Sequence, residues 1–566
     1  MSLGVQNTMK NYAGSGLQAA AFEMLLNAIL NNQGHVIQQL LNSDPHLVHM
    51  KGWHDINPLH RACLTGDYNI VLMLIQANAD VNSLTAHKET PLHYASRRGI
   101  PSIVHLLIQC GAKIDARDLS GKSVLHFAAE TGSAQVIKYF EETHGLNVRD
   151  LDAKLQSPLH IACTCGHLDL FTFLIKHDRS DLNQADIDGN LPIHISSKNG
   201  FGHMTWCMLR LLGVSVLKKT NNTGLTPLDF VAQGDKYGHK ELAPILKSYA
   251  KQSEFEPVTG PVKLWYGLLL YPFTLYLAIV LLSECMESYQ FLVYLAVLVM
   301  FILHVNGFSH RINHISRWPN PFYTGVFAAG IIHTTICYFY LIFPVINSSR
   351  IMMIVSFIVC PALFFTFWTL VRKDPGAVTS SVEELDKPLT LVDLCSMRNP
   401  KYNYCPICDI ITRNVSKHCK LCDKCYLYMD HHCLFLLKCI AANNHAHFLW
   451  LLLIAVFNMC SYMIAFGLYI WTLYPHTHLS VTAVQLIHHH AWPLSLFVLN
   501  LVSAVWVGNI IATQFFLVTR GCTAYFTDVK TKSYKLTAFQ AVANFIAFLF
   551  NRPLPYRNPY SIIQNL

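Results

Sequence analysis

An all-α fold in two parts is predicted: a solenoid of helical pairs, then a six-helix transmembrane domain with a cysteine-rich domain between its fourth and fifth helices. Three observations predict it. A ten-residue pattern recurs six times in the first 250 residues, six apolar stretches of spanning length follow, and seven cysteines crowd into one short segment. The 566 residues allow several domains, and with 52% hydrophobic and only 13% charged residues the chain is too apolar for an ordinary soluble multidomain protein.

The repeats are NPLHRACLTG, TPLHYASRRG, SVLHFAAETG, SPLHIACTCG, LPIHISSKNG and TPLDFVAQGD. Their fourth residues are His60, His93, His126, His160, His194 and Asp229, spaced 33, 33, 34, 34 and 35 residues apart. In period and sequence this resembles the ankyrin repeat. The resemblance implies that Thr/Ser-Pro opens the first helix of each unit, His ties neighbouring turns and Gly ends the helix. The recurring histidines therefore read as structural, not as metal ligands. About seven repeats are expected over 20–250, the first degenerate, after a tail at 1–19. Such a stack leaves a concave face for protein partners.

Composition changes after residue 250. Apolar stretches at about 264–283, 289–308, 322–345, 351–371, 447–473 and 493–519 are each near the ~20 residues a spanning helix requires. The expected domains are helices 1–4 over 251–371, the cysteine-rich domain over 372–446, helices 5 and 6 over 447–520, and a tail over 521–566. Charge gives a topology. Loop 309–321, segment 372–446 and the tail after Arg520 carry Lys and Arg, whereas the turns at 284–288, 346–350 and 474–492 hold one Arg between them. The positive-inside rule then places the repeats, the cysteine-rich domain and the tail in the cytosol. The start, MSLGVQNTMKNYAGSG, has no apolar core, so no cleavable signal peptide is expected. The net charge of +8 is spread thinly, which argues against a nucleic-acid partner and suits a cytoplasmic membrane face.

The cysteine-rich segment reads YCPICDIITRNVSKHCKLCDKCYLYMDHHCLFLLKCIAANNHAHF. Cys405-x2-Cys408 and His418-Cys419-x2-Cys422-x2-Cys425 present paired ligands at zinc-knuckle spacing, enough for two ions in a reducing compartment. The segment resembles the Asp-His-His-Cys cysteine-rich domain of the protein palmitoyltransferases. Repeats, spans and domain together resemble the ankyrin-bearing branch of that family, typified by huntingtin-interacting protein 14. By that resemblance one zinc takes Cys405, Cys408, His418 and Cys425, and the second takes Cys419, Cys422, His432 and Cys439. Both sets are full, so both ions are structural. Cys433 is left over as nucleophile, beside His431 as base and Asp430 as orienter.

The resemblance implies a protein-cysteine S-palmitoyltransferase that takes acyl groups from acyl-CoA through a Cys433 acyl-enzyme. Its substrates are proteins recruited by the ankyrin repeats, and its setting is a Golgi or endoplasmic reticulum bilayer. Arg413, Lys417 and Lys438 are candidates for the CoA phosphates. In related ankyrin acyltransferases an Asn and a Trp hold an extended substrate segment; here Thr65 and Tyr94 stand at those positions, and a packed tyrosine is the alternative for the second.

The sequence departs from the family in several places. Leu434 and Phe435 replace Pro-Trp, and Lys438-Cys439-Ile440-Ala441 replaces Asn-Cys-Val-Gly. Only Thr523 remains of the Thr-Thr-x-Glu segment after the last span. Asp374, Pro375 and Gly376 match, as do Asn444 and Phe448, and Asn544 aligns with a C-terminal asparagine. A membrane-anchored ankyrin scaffold with weak or lost activity is the alternative. Transport through the spans has less support, since they hold few acidic residues.

Overall fold

The computed structural model describes residues 18–254, 256–285, 299, 311–312, 314–346, 350–384, 387–396, 401–475, 479–526 and 536–552. The chain divides into two compact units. One comprises Met1–Thr259 and Ser380–Thr412; the other comprises Gly260–Thr379 and Arg413–Leu566.

In the first unit, helical pairs follow one another from Pro58–Thr65 and Tyr68–Gln76 to Pro227–Gln233 and Tyr237–Ala250. Two helices, Gln18–Leu30 and Gly34–Ser43, precede them. Each PLH-type segment opens a helix because its polar residue caps the N-terminus and proline sits in the first turn, where its missing N–H costs nothing. The repeat histidine does two jobs. Nδ1 of His93, His126, His160 and His194 accepts the N-cap backbone N–H at 3.1 Å. On the far side of the ring, Nε2 reaches a carbonyl in the next unit, for example Gln156 from His126 at 3.0 Å and Lys219 from His194 at 3.0 Å. These rings are structural, as the sequence implies. Gly66 ends its helix at φ 87°, a conformation that disfavours a side chain.

Segment 380–412 belongs to the same unit. Its short helix Leu391–Ser396 packs on helices Pro101–Gln109 and Ala134–His144, and the strands Tyr402–Cys405 and Ile410–Arg413 form a hairpin.

Among the described residues, the second unit holds five helices long and apolar enough to cross a membrane: Val262–Leu281, Phe322–Val345, Ile354–Arg372, His445–Leu473 and Ala491–Thr519. The expected span at 289–308, apart from Val299, lies outside the described residues. The expected all-α description holds for the repeats and for the five apolar helices described, but not for the cysteine-rich segment. There Ala377–Val378, Lys424–Leu427 and Ser416–Cys419 form a three-stranded sheet, and His431–Cys433 pairs with Lys438–Ile440. Closely spaced ligands need tight turns between extended runs, a geometry that helical periodicity does not supply.

Candidate active site and metal centre

The hairpin His431–Cys433/Lys438–Ile440 organises the chemistry. Successive residues of a strand point to opposite faces. His431 and Cys433 therefore share one face, and His432 turns to the other, directly across from Cys439. Two adjacent histidines thus acquire different tasks from strand geometry alone.

On the His432 face, Cys419, Cys422, His432 and Cys439 bring one ligand atom each within 4.8 Å of the others. His432 Nδ1 lies 3.6, 3.3 and 3.6 Å from the sulfurs of Cys419, Cys422 and Cys439. The sulfurs of Cys439 and Cys422 are 3.5 Å apart. A tetrahedral zinc with Zn–S near 2.3 Å and Zn–N near 2.05 Å requires S···N of about 3.6 Å and S···S of about 3.8 Å. The donor set fits zinc. Asn444 fastens the loop beneath it, donating to the Cys439 carbonyl at 2.9 Å and accepting the Ala441 N–H at 2.8 Å. The other predicted set arrives as two halves. Cys405 and Cys408 form a knuckle in the ankyrin unit, closed by Asp409 N–H on the Cys405 carbonyl at 2.8 Å. His418 and Cys425 are cross-strand partners in the second unit, with Nδ1 and Sγ 3.8 Å apart.

On the other face, His431 Nδ1 lies 2.8 Å from Asp430 Oδ2, and its ring lines the same cavity as Cys433. Burial alone would lower the imidazole's pKa, but Asp430 and Cys433 outweigh it and raise it to about 9. Burial would raise Asp430 likewise; the bonds it accepts from His431 and the Ala524 N–H hold it down at about 2. Asp430 is fully committed. Oδ2 also accepts Gln514 Nε2 at 2.7 Å, and Oδ1 accepts the Ala524 N–H at 2.7 Å. Gln514 is held in turn by His445 Nε2 at 2.8 Å, and the Thr523 hydroxyl donates to the Met429 carbonyl at 3.1 Å.

Cys433 and His431 line a cavity of about 600 Å³ between the apolar helices. Its walls include Phe327, Leu363, Leu452, Trp506 and Ile510, and its size falls in the range of small-molecule sites. The fold thus sets a thiol and an imidazole–carboxylate pair in the wall of an apolar chamber.

Residues 398–531 match the DHHC palmitoyltransferase family, and 25–118 and 103–186 match ankyrin repeats in three copies. The chain joins ankyrin repeats to a DHHC palmitoyltransferase domain. Among solved structures, the human ASB11 ankyrin repeat domain is similar at 22% identity and a TM-score of 0.35, over 40% of this chain and 98% of that one. No curated protein matches the chain.

Several departures of the DHHC domain acquire a physical reading. Phe435 packs its ring 5.0 Å from Trp506 and 6.1 Å from Phe327, so an aromatic still lines the chamber. The Leu434 carbonyl accepts the Thr324 hydroxyl at 2.9 Å, a bond that a proline carbonyl at that position would equally allow. Thr523 and Ala524 brace Asp430 without the missing glutamate. Asn544 is buried and donates to the Thr519 carbonyl at 2.9 Å, tying the tail to the last long helix just before that brace. Asp374-Pro375-Gly376 docks on Asn443, whose N–H donates to the Pro375 carbonyl at 3.2 Å.

The candidate cations are partly spent. Lys438 donates to the Val371 carbonyl at 2.6 Å, and Lys417 lies over the Tyr525 ring at 5.0 Å. In the ankyrin unit, Tyr94 is only 7% exposed, wedged edge-on to His60 at 5.2 Å. Thr65 turns its hydroxyl to the Ala62 carbonyl at 2.9 Å.

Gln514, His445 and Ala524 belong to no catalytic or ligand motif in the sequence. A glutamine inside an otherwise apolar span is the signal that points to the first of them.

Proposed function

We propose that the chain is a protein S-palmitoyltransferase with Cys433 as its acyl-carrying nucleophile. The observation that carries this is the conjunction of Cys433, His431 and Asp430 in the lining of one apolar cavity. A thiol held for structure alone would need neither the imidazole nor the chamber.

The chemistry runs in two transfers. His431 takes the Sγ proton of Cys433, and the thiolate attacks the thioester carbon of an acyl-CoA. The carbon–sulfur bond to CoA breaks, and His431 returns the proton to the departing CoA thiol. A cysteine thiol of the substrate protein then attacks the new thioester, giving its proton to His431; Cys433 leaves as a thiol again. The acyl chain lies in the cavity, where burial contributes about 0.8 kcal/mol per CH₂. Both zinc ions are structural in this reading. Cys419, Cys422, His432 and Cys439 hold one; the pairs Cys405–Cys408 and His418–Cys425 hold the other. Each would pin the loops around Cys433 in place of a hydrophobic core.

Substrate proteins dock along the ankyrin repeats, with Thr65 and Tyr94 as the expected contact and Tyr94 offering only its exposed edge. The chain sits in a Golgi or endoplasmic reticulum membrane, as the family resemblance implies, with repeats and active site cytosolic, an orientation supported by the charge distribution along the sequence. Release of free CoA from palmitoyl-CoA by the purified full-length protein tests the enzyme. Turnover that vanishes in Cys433→Ser supports it. Absence of turnover in the wild type favours the scaffold.

A further inference from the structure

Two Cys-x2-Cys turns of the DHHC segment, at Cys405–Cys408 and Cys419–Cys422, are built alike but held differently. In both, the residue after the second cysteine is an aspartate at positive φ, 57° at Asp409 and 54° at Asp423. In both, its N–H donates 2.8 Å to the carbonyl of the first cysteine. Asp423 leaves 71% of its side chain exposed, whereas Asp409 leaves 11%. The buried carboxylate lies within the ankyrin unit. Its Oδ2 accepts Arg179 at 2.5 Å and Lys138 at 3.3 Å, both from the repeats, and its Oδ1 accepts the Tyr404 hydroxyl at 2.6 Å.

The partners are themselves fixed. Arg179 stacks over Phe173 at 4.3 Å and pairs with Glu141 at 3.1 Å. Lys176 donates to the carbonyl of Ile407, inside the knuckle. A carboxylate this buried needs its full set of donors, because removing one partner leaves an uncompensated charge. The turn itself needs only an aspartate that tolerates positive φ. The cluster therefore does something beyond closing the turn: it fastens the Cys405–Cys408 knuckle to the repeat array.

We propose that Arg179 and Lys138 are positioning residues for the zinc held by Cys405 and Cys408, so that the ankyrin array holds part of a metal site as well as recruiting partners. This rests on the two-zinc reading above. Holding two sulfurs on a rigid platform lowers the cost of assembling the site and slows loss of the ion, since metal binding and local folding are one process. Arg179→Gln keeps a polar side chain and lies 230 residues from Asp409 in sequence, so it disturbs no ligand directly.

The test uses the full-length protein in nanodiscs. Zinc content and the rate of zinc capture by a chromogenic chelator are measured beside hydrogen exchange across 402–413. Variants are Arg179→Gln, Asp409→Asn, their double, Arg179→Lys as conservative rescue, and Lys218→Gln, which breaks an exposed ion pair elsewhere in the repeats. The expected result is that Arg179→Gln and Asp409→Asn each speed release of one of the two zincs about tenfold, and that the double variant is no worse than either single. Arg179→Lys recovers part of the effect, and Lys218→Gln behaves as wild type. Unchanged exchange at 402–413 in Arg179→Gln overturns the fastening. Faster exchange with unchanged zinc release overturns the positioning role. Wild-type protein holding one zinc overturns the two-site reading instead.

Discussion

Gln514 Nε2 donates to Asp430 Oδ2 at 2.7 Å, and that same oxygen holds His431 Nδ1 at 2.8 Å. The glutamine comes from the last long helix and fixes the carboxylate that fixes the base. Hydrogen bonds to a charged group are worth about 1.5–3 kcal/mol, which corresponds to roughly 10- to 100-fold in rate if lost in the transition state. Gln514→Leu is accordingly expected to slow formation of the Cys433 acyl-enzyme by about that factor while zinc content stays at the wild-type value. Rapid-quench labelling with acyl-CoA, paired with metal analysis, measures both.

Gly376 sits at φ 98°, and a Cβ there would meet Asn443 Nδ2 at 3.1 Å. Gly376→Ala adds backbone strain to a tight contact and is expected to cost about 1 kcal/mol or more. The effect should appear as a lower melting temperature of the second unit, read by differential scanning calorimetry of the whole protein. Gly111→Ala, also at positive φ but with open space around it, separates backbone strain from the contact.

The repeat histidines predict a pH dependence of the ankyrin unit. Burial lowers His60 and His93 from 6.5 to about 4, and lowers His126, His160 and His194 in the same direction. The folded rings stay neutral where the unfolded chain takes up protons. Their contribution is therefore fully present above about pH 6.5 and is lost as pH falls from there towards 4. For a shift of this size the loss approaches about 3 kcal/mol per fully buried ring at the low end. Denaturant midpoints of the repeat unit, followed by hydrogen exchange between pH 7.5 and 4.5, should fall steadily. A flat profile contradicts the structural role of the rings.

Zinc removal separates the centre from the chamber. Chelation is expected to release two ions per chain and to deprotect the amides of 416–440, because those hairpins have little apolar core of their own. The long helices should keep their helicity by circular dichroism, since their packing uses no metal. Acyl-enzyme formation should stop even though Cys433 binds no ion.

Much of this was legible in the sequence, for identifiable reasons. The repeats were readable because each His occupies the same place in a unit of nearly constant length, and the spans because apolar length suffices. Knuckle spacing gave the ligand types. What sequence could not give was the sidedness of His431 and His432: adjacent in the chain, they part company only when the segment becomes a strand paired in register with Lys438–Ile440. The bracing of Asp430 was equally hidden, since Gln514 lies 84 residues and Ala524 94 residues away. Thr65 and Tyr94 show the opposite limit. Alignment picked positions, but burial of Tyr94 depends on how its ring meets His60 of the preceding repeat.

The central claim is that the Cys433 sulfur becomes the acyl carrier. The most direct measurement is peptide mapping by mass spectrometry of full-length protein quenched seconds after mixing with palmitoyl-CoA. The account predicts one hydroxylamine-sensitive palmitoyl thioester on the peptide containing Cys433, and none there in Cys433→Ser or above a trace in His431→Ala. A wild-type protein carrying no adduct at Cys433, or an adduct yield untouched by Cys433→Ser, would contradict it.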